Sequence, residues 1–306
     1  MQAGLQIRLR GLYLMKHDST GERKRKAVSA MEFDPKKIYW QAHRGGGGHE
    51  APDNTLYAME YGWSLGGIPE ADIRVTADRE VVCLHDNTLA RTTDAPPALA
   101  DRPIGELTLA EVKKYDAGRK FRVDCAGQQV PTVREVFEVM RRDPEKLLYA
   151  DIKNYDEKLF PILLDGFLSL AREYDVASRI IVAGRDYALN CRFKELCPEL
   201  KTMQWIGRTP PERMQTFREL AAKNFFGLDL VQLHLYAVEN AHGGWMYDLS
   251  VDELREAFQA LGTRLEVFPF GAFTTEAVKT LLDVGIRQFA TDEPRRFSDT
   301  LKAINL

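Results

Sequence analysis

Cysteine is scarce in this chain. Its 306 residues hold four, Cys83, Cys125, Cys191 and Cys197, and no CxxC pair. That spacing excludes a small disulfide scaffold and a thiolate zinc site, and predicts buried or chemically indifferent thiols. Long apolar runs are missing as well, so no transmembrane helix is expected. The apolar stretch Leu12 to Met15 is too short for a signal-peptide core, and a cytoplasmic protein is the expectation. Charge of one sign is not in excess either. A net charge of −3 gives no general drive toward nucleic acid. No internal repeat or low-complexity tract breaks the pattern.

What is present is the balance of an ordinary folded chain, 44% hydrophobic and 28% charged. The length permits one large barrel or two average domains. Residues 1–37 stand apart from the rest. They carry the basic cluster Arg23-Lys24-Arg25-Lys26 and little apolar periodicity. We expect a flexible, solvated tail there. A weak contact with an anionic lipid surface is the alternative, and the only membrane contact the sequence suggests. Nothing specifies an oligomeric state.

From residue 38 onward short β-branched and aromatic runs alternate with longer helical stretches, the signature of βα units around a parallel sheet. The expected strands are Ile38 to Ala42, Glu70 to Thr76, Leu147 to Ile152, Arg179 to Val182, Lys201 to Trp205, Phe225 to Leu230, Arg264 to Pro269 and Ile286 to Ala290. About eight strands close a (β/α)8 barrel. Helix starts are marked by Asn54 before Thr55, and by the capping boxes Thr132/Glu135 and Ser250/Glu253. Gly262 and Gly285 mark helix ends. Val81 to His85 reads as an extra short strand. The segment 86–130 is too long for a simple loop and reads as an excursion over one end of the barrel, of the kind that carries function.

Candidate chemistry gathers where strands end. His43 and Arg44 follow the first strand and lead into Gly45 to Gly48, where backbone can pass close to a ligand. Arginine matches phosphate oxygens, and histidine exchanges protons near neutral pH. A structural His–Arg pair is the alternative. Glu70 and Asp72 lie two apart on the second strand and share one face. Buried acids need a partner, and a hard divalent cation with oxygen ligands, Mg²⁺ or Ca²⁺, is the natural one. A salt bridge to arginine is the bland reading. On the third strand Asp151 and Lys153 again share a face, as a third ligand and a balance for phosphate charge. His85 ends the extra strand. Two histidines suit an acid and a base.

Other residues carry weaker expectations. His49 sits in the glycine-rich loop, exposed or reaching the substrate. His234 and His242 are placed in the loop after the sixth strand, at the surface or shaping the site. Glu266 points inward to a substrate hydroxyl or to a salt bridge. Phe268 and Phe270 are expected to pack rather than to stack on a ligand.

In order along the chain, His43-Arg44-Gly45, Pro52-Asp53-Asn54-Thr55, Glu70-Ala71-Asp72, His85-Asp86 and Leu89-Ala90-Arg91-Thr92 resemble the signature of glycerophosphodiester phosphodiesterases. The resemblance continues through Ile104-Gly105-Glu106-Leu107-Thr108, Asp116-Ala117-Gly118, Val130-Pro131-Thr132 and Ala290-Thr291-Asp292-Glu293-Pro294, and spans Ile38 to Arg296. It implies a TIM barrel over residues 38–306 with a small insertion after the second strand. It implies one divalent cation held by Glu70, Asp72 and Asp151, His43 and His85 as the acid/base pair, and Arg44 and Lys153 on the phosphate. The implied reaction turns a small-molecule glycerophosphodiester into glycerol 3-phosphate and an alcohol. The chain departs from the family in having aspartate at 53 and 151, where glutamate is usual. It also has phenylalanine at 268 and 270, near the usual tryptophan. Two alternatives keep the scaffold: a phospholipase D-like or C-like enzyme on lysophospholipids, and a barrel that binds phosphodiesters without cleaving them.

Overall fold

The structure, a computed structural model, describes residues 32–154, 156–238, 244–270 and 273–304. The basic cluster at residues 23–26 and His242 lie outside the described residues. Among the described residues there are nine strands: β1 (Tyr39–Ala42), β2 (Ile68–Val75), β3 (Val81–Cys83), β4 (Leu148–Ile152), β5 (Ile180–Gly184), β6 (Lys201–Ile206), β7 (Leu230–Tyr236), β8 (Leu265–Phe270) and β9 (Gln288–Thr291). Eight run parallel in the order β1-β9-β8-β7-β6-β5-β4-β2, and the β1–β2 pairing closes the ring. β3 lies antiparallel on β2. The architecture is therefore a closed (β/α)8 barrel.

The helices α1 (Leu56–Ser64), α2 (Pro97–Ala100), α3 (Leu109–Val112), α4 (Val133–Arg142), α5 (Phe160–Glu173), α6 (Tyr187–Leu196), α7 (Pro210–Ala222), α8 (Val251–Leu261), α9 (Thr275–Val284) and α10 (Pro294–Ala303) complete it. The capping boxes at Thr132/Glu135 and Ser250/Glu253 form as expected, because each satisfies N–H groups that a helix start leaves without partners. α9 ends on Gly285 in the left-handed conformation, φ 109°. Among the described residues no helix is long and apolar enough to cross a membrane. All four cysteines are free, three of them buried.

Alternation along the strands sorts the core. Outward residues such as Ile73, Ala150, Ile152 and Val182 pack on helices, with Phe137 and Phe167 among them. Inward residues Tyr149, Ile181, Met203 and Leu230 fill the barrel interior. Between β3 and α4 the excursion has its own small core around Val82, Leu89, Ile104, Leu107 and Val112. In the β2–β4 register Asp72 stands opposite Asp151, so sheet geometry alone brings two acids side by side.

Two expectations change. The sixth barrel strand is Leu230–Tyr236, not Phe225 to Leu230. Asn224 (φ 53°), Phe225 (φ 50°) and Gly227 (φ 74°) are left-handed, so the chain is still turning where an extended run was expected. The first helix is capped by Thr55, whose side chain accepts from the Ala58 N–H. Asn54, the expected cap, is left-handed at φ 58° and serves the site instead.

Candidate active site

The carboxyl end of the barrel holds a cavity of about 200 Å³. Glu70, Asp151 and Lys153 line it beside His43, His85 and Arg44. Each residue selected from the sequence for the site is thus at or directly beneath one cavity.

Glu70, Asp72 and Asp151 are all buried, and one oxygen from each lies within 4.8 Å of the others. Two of these acids have lost almost all solvent, and their environments push them apart. Burial, then repulsion from Asp72 and Asp151, raises the Glu70 pKa well above the ordinary range. Burial opposes charge on Asp72 too, but Lys153, His85 and Arg44 outweigh it and hold that carboxylate below its usual range. The Lys153 ammonium lies 3.0 Å from Asp72 Oδ1 and 2.5 Å from Asp151 Oδ2. Burial disfavours its charge, yet Asp151, Asp72 and Glu70 raise its pKa. Asp72 Oδ1 is buried and faces only the Lys153 ammonium. Three carboxylates from two adjacent strands, with an oxygen of each within 4.8 Å of the others, fit a hard divalent cation.

Asn54 fixes the central acid. Its Nδ2 donates to Asp72 Oδ2 at 2.7 Å, and its Oδ1 accepts from the Asp72 backbone N–H at 2.7 Å. Arg44, left-handed at φ 53°, donates its backbone N–H to Glu70 Oε2 at 2.6 Å. Its guanidinium bonds Asp53 at 3.1 Å. Asp53 also takes Arg91 at 2.7 Å. The shorter aspartate at 53 therefore ties the first loop to the excursion.

Both histidines have a carboxylate on Nδ1. His43 Nδ1 lies 2.6 Å from Asp292 Oδ1, and His85 Nδ1 lies 2.7 Å from Asp86 Oδ1. Such a partner fixes the tautomer with Nδ1–H and leaves Nε2 as the exchanging nitrogen. Burial lowers the His85 pKa, with Asp72 opposing. Burial opposes charge on Asp292, but the His43 hydrogen bond keeps its pKa low. Gly47, at φ +66°, lets the loop after His43 pass against Asp292; a Cβ there would sit 1.8 Å from the Asp292 carbonyl oxygen.

The far wall is aromatic. His234, placed by the revised strand on β7 and not in a loop, stacks on Trp205 with ring centroids 5.3 Å apart. Burial, then its neighbours His43 and Arg213, lowers its pKa to about 3, so it stays neutral. Phe268 and Phe270 pack on each other at 3.8 Å and both line the cavity. The expectation that they pack is correct: Phe268 is buried and Phe270 is half-buried. His49 is exposed and lies outside this lining. Beneath the floor, Glu266 reaches neither substrate space nor a cation. It accepts from Tyr149 Oη at 2.5 Å and from Gln232 Nε2 at 2.6 Å. Burial raises its pKa to about 7.

Sequence reasoning missed roles for Asp292, Asn54 and Trp205; for His234 it left open a surface position or a part in shaping the site, and the second is what the structure shows. Asp292 stood within a quoted motif without a task. Asn54 read as a cap. Nothing local distinguishes His234 once its strand is misplaced.

Oxygen donors, two carboxylate-held histidines and fixed cations at the carboxyl end of a barrel define a class, the enzymes that act on anionic esters. The model of the glycerophosphoryl diester phosphodiesterase family matches residues 43–296, and the chain belongs to that family of phosphoric diester hydrolases. It is similar to a glycerophosphodiester phosphodiesterase of Caldanaerobacter subterraneus subsp. tengcongensis, 29% identical over 257 residues that cover 83% of this chain and 93% of the relative. Its fold is also that of an Oleispira antarctica phosphodiesterase solved with the product sn-glycerol-3-phosphate, at TM-score 0.67 and 21% identity, covering 86% of this chain and 96% of the other. A glycerophosphodiester phosphodiesterase of Agrobacterium tumefaciens aligns at TM-score 0.63 and 19% identity, covering 86% and 99%.

Proposed function

We propose that the chain hydrolyses glycerophosphodiesters to glycerol 3-phosphate and an alcohol. The observation that carries this is the flanking of the Glu70, Asp72 and Asp151 cluster by two histidines, each held by a carboxylate. The three acids would hold one divalent cation, Mg²⁺ or Ca²⁺, which would supply withdrawal of charge from the phosphoryl oxygens.

The chain's own residues do the rest. Arg44 and Lys153 bind phosphate oxygens, and Lys153 moves from its present carboxylate partners to do so. One histidine accepts at Nε2 the proton of the attacking water. The water oxygen bonds to phosphorus, and the bond from phosphorus to the alcohol oxygen breaks. The other histidine delivers a proton from Nε2 to that oxygen. Asp292 and Asp86 stabilise whichever imidazolium forms.

The test is release of glycerol 3-phosphate from glycerophosphocholine and glycerophosphoethanolamine by metal-stripped protein titrated with Mg²⁺ and Ca²⁺. Release that depends on one of these cations is the expected result. Full turnover by the stripped protein in excess chelator would sink the cation's part, and no release from folded, metal-loaded protein would sink the reaction.

A further inference from the structure

A second, wider cavity of about 450 Å³ opens beside the first, and the two share Lys153. Its cations come from the same strands that build the site. Glu70, Asp72 and Arg74 lie at alternate positions of β2, so Arg74 extends the acidic face toward the barrel mouth. Lys153 follows β4 and Arg185 follows β5, and β2, β4 and β5 are neighbours in the ring. Basic side chains therefore stand in a row at three successive strand ends. Lys158, from the turn before α5, adds another; it is exposed and makes no ion pair among the described residues. Two acids also line the space, Glu106 and Asp156. Asp156 Oδ1 is occupied by the backbone N–H groups of Lys158 and Leu159. With Lys153 set aside, since Asp72 and Asp151 pair it, three cations face two acids in this lining.

The row lies on the His85 side. Arg74 donates to the His85 carbonyl from Nε at 3.0 Å and from Nη2 at 2.7 Å. The His43 side is aromatic: Phe268 packs edge-on against the His43 ring at 4.9 Å. A small, fixed moiety such as glycerol suits that aromatic side, and a group that varies in size and charge suits the wider, basic one. We propose that this second cavity receives the alcohol part of the substrate and binds a second phosphate carried on it. The favoured substrates are then glycerophosphodiesters of phosphorylated polyols. Guanidinium and ammonium groups converging on one space are the chemistry that phosphate monoesters require. The inference rests on the hydrolytic reading above.

The test compares kcat/KM for glycerophosphoinositol 4-phosphate and glycerophosphoinositol, using full-length, metal-loaded protein at low salt. The expected preference for the phosphorylated compound is about tenfold, the ratio equivalent to 1.4 kcal/mol, and it shrinks as salt is added. The double variant Lys158→Glu with Arg185→Glu should bring the ratio of the two kcat/KM values to about one, with far-UV circular dichroism unchanged to show that the variant folds. Equal kcat/KM for the two compounds in the unaltered protein, or a preference that survives in the double variant, would overturn the subsite and leave the hydrolytic reading standing. Failure to cleave either compound, or glycerophosphocholine, would overturn that reading and the subsite with it.

Discussion

The strands β1, β2 and β4 furnish one side of the barrel mouth with Arg44, Glu70, Asp72, Asp151 and Lys153, whereas β6, β7 and β8 furnish the other with Trp205, His234, Tyr236, Phe268 and Phe270. The charged side compensates itself in the absence of ligand: Lys153 sits between Asp72 and Asp151, and Glu70 resists ionisation. The aromatic side carries no charge, since its histidine stays neutral. A scaffold with these two sides can read a phosphodiester twice, the phosphate by charge and the carbon part by shape. The sides touch at several points. Trp205 Nε1 donates to Asp151 Oδ1 at 3.3 Å, and His43 rests its ring on Phe268.

The largest break in this division comes from the histidines. His43→Ala and His85→Ala should each lower kcat by ~10²–10⁴-fold with the far-UV circular dichroism unchanged. A p-nitrophenyl ester separates their roles, because that leaving group departs without a proton. The variant lacking the acid should regain most of its rate on this ester, and the variant lacking the base should not. Equal losses on both esters in both variants would remove the acid/base assignment.

Next in size is Asn54→Ala. Asn54 grips Asp72 through both ends of its amide. Removing a partner that orients a ligand typically costs ~10–100-fold in metal affinity. Isothermal titration of stripped protein with Mg²⁺ or Ca²⁺ measures it. An unchanged affinity would mean that Asp72 holds its position without Asn54.

Asn54 also shows what was legible in the sequence. The barrel was readable because strand-like and helical runs alternate, the histidines because each stands where a strand stops, and the acids because period-two alternation fixes which residues share a strand face. Glu70 with Asp72, and Asp151 with Lys153, are legible on that ground alone. The aromatic side was not. Its reading depends on the start of β7, and the run from Phe225 has the composition of a strand while its backbone turns left-handed at three residues between 224 and 227. A shift of that size moved His234 from a strand face to a loop. Asp292 was illegible for a different reason: it is 249 residues from His43, and no local pattern announces so distant a contact.

On the aromatic side the expected effects are smaller. Phe270→Ala should raise KM for glycerophosphocholine by ~3–10-fold and leave kcat nearly unchanged, since apolar contact binds ground and transition states alike. A fall in kcat equal to the fall in kcat/KM would instead place Phe270 in the chemistry, and would weaken the distinction between the two sides.

The smallest effect on activity should come from Glu266, which joins the sides beneath the floor by accepting from Tyr149 on β4 and Gln232 on β7. Its carboxyl ionises near 4.5 when exposed and at about 7 in the folded chain, because burial disfavours the anion. Between those values the folded state keeps a proton that the unfolded state has lost. Its contribution is therefore fully present below about pH 4.5 and is lost as pH rises through about 7, by ~3 kcal/mol in all. Glu266→Gln removes the titration while keeping the shape: the amide oxygen accepts from Gln232, and the amide nitrogen donates to the Tyr149 oxygen. Urea unfolding at pH 5 and pH 8 should show the variant gaining ~2–3 kcal/mol on the unaltered protein over that interval, with kcat/KM at pH 7 unchanged. Parallel pH dependence in the two proteins would mean that Glu266 ionises at its ordinary value and that Tyr149 and Gln232 stabilise its anion fully.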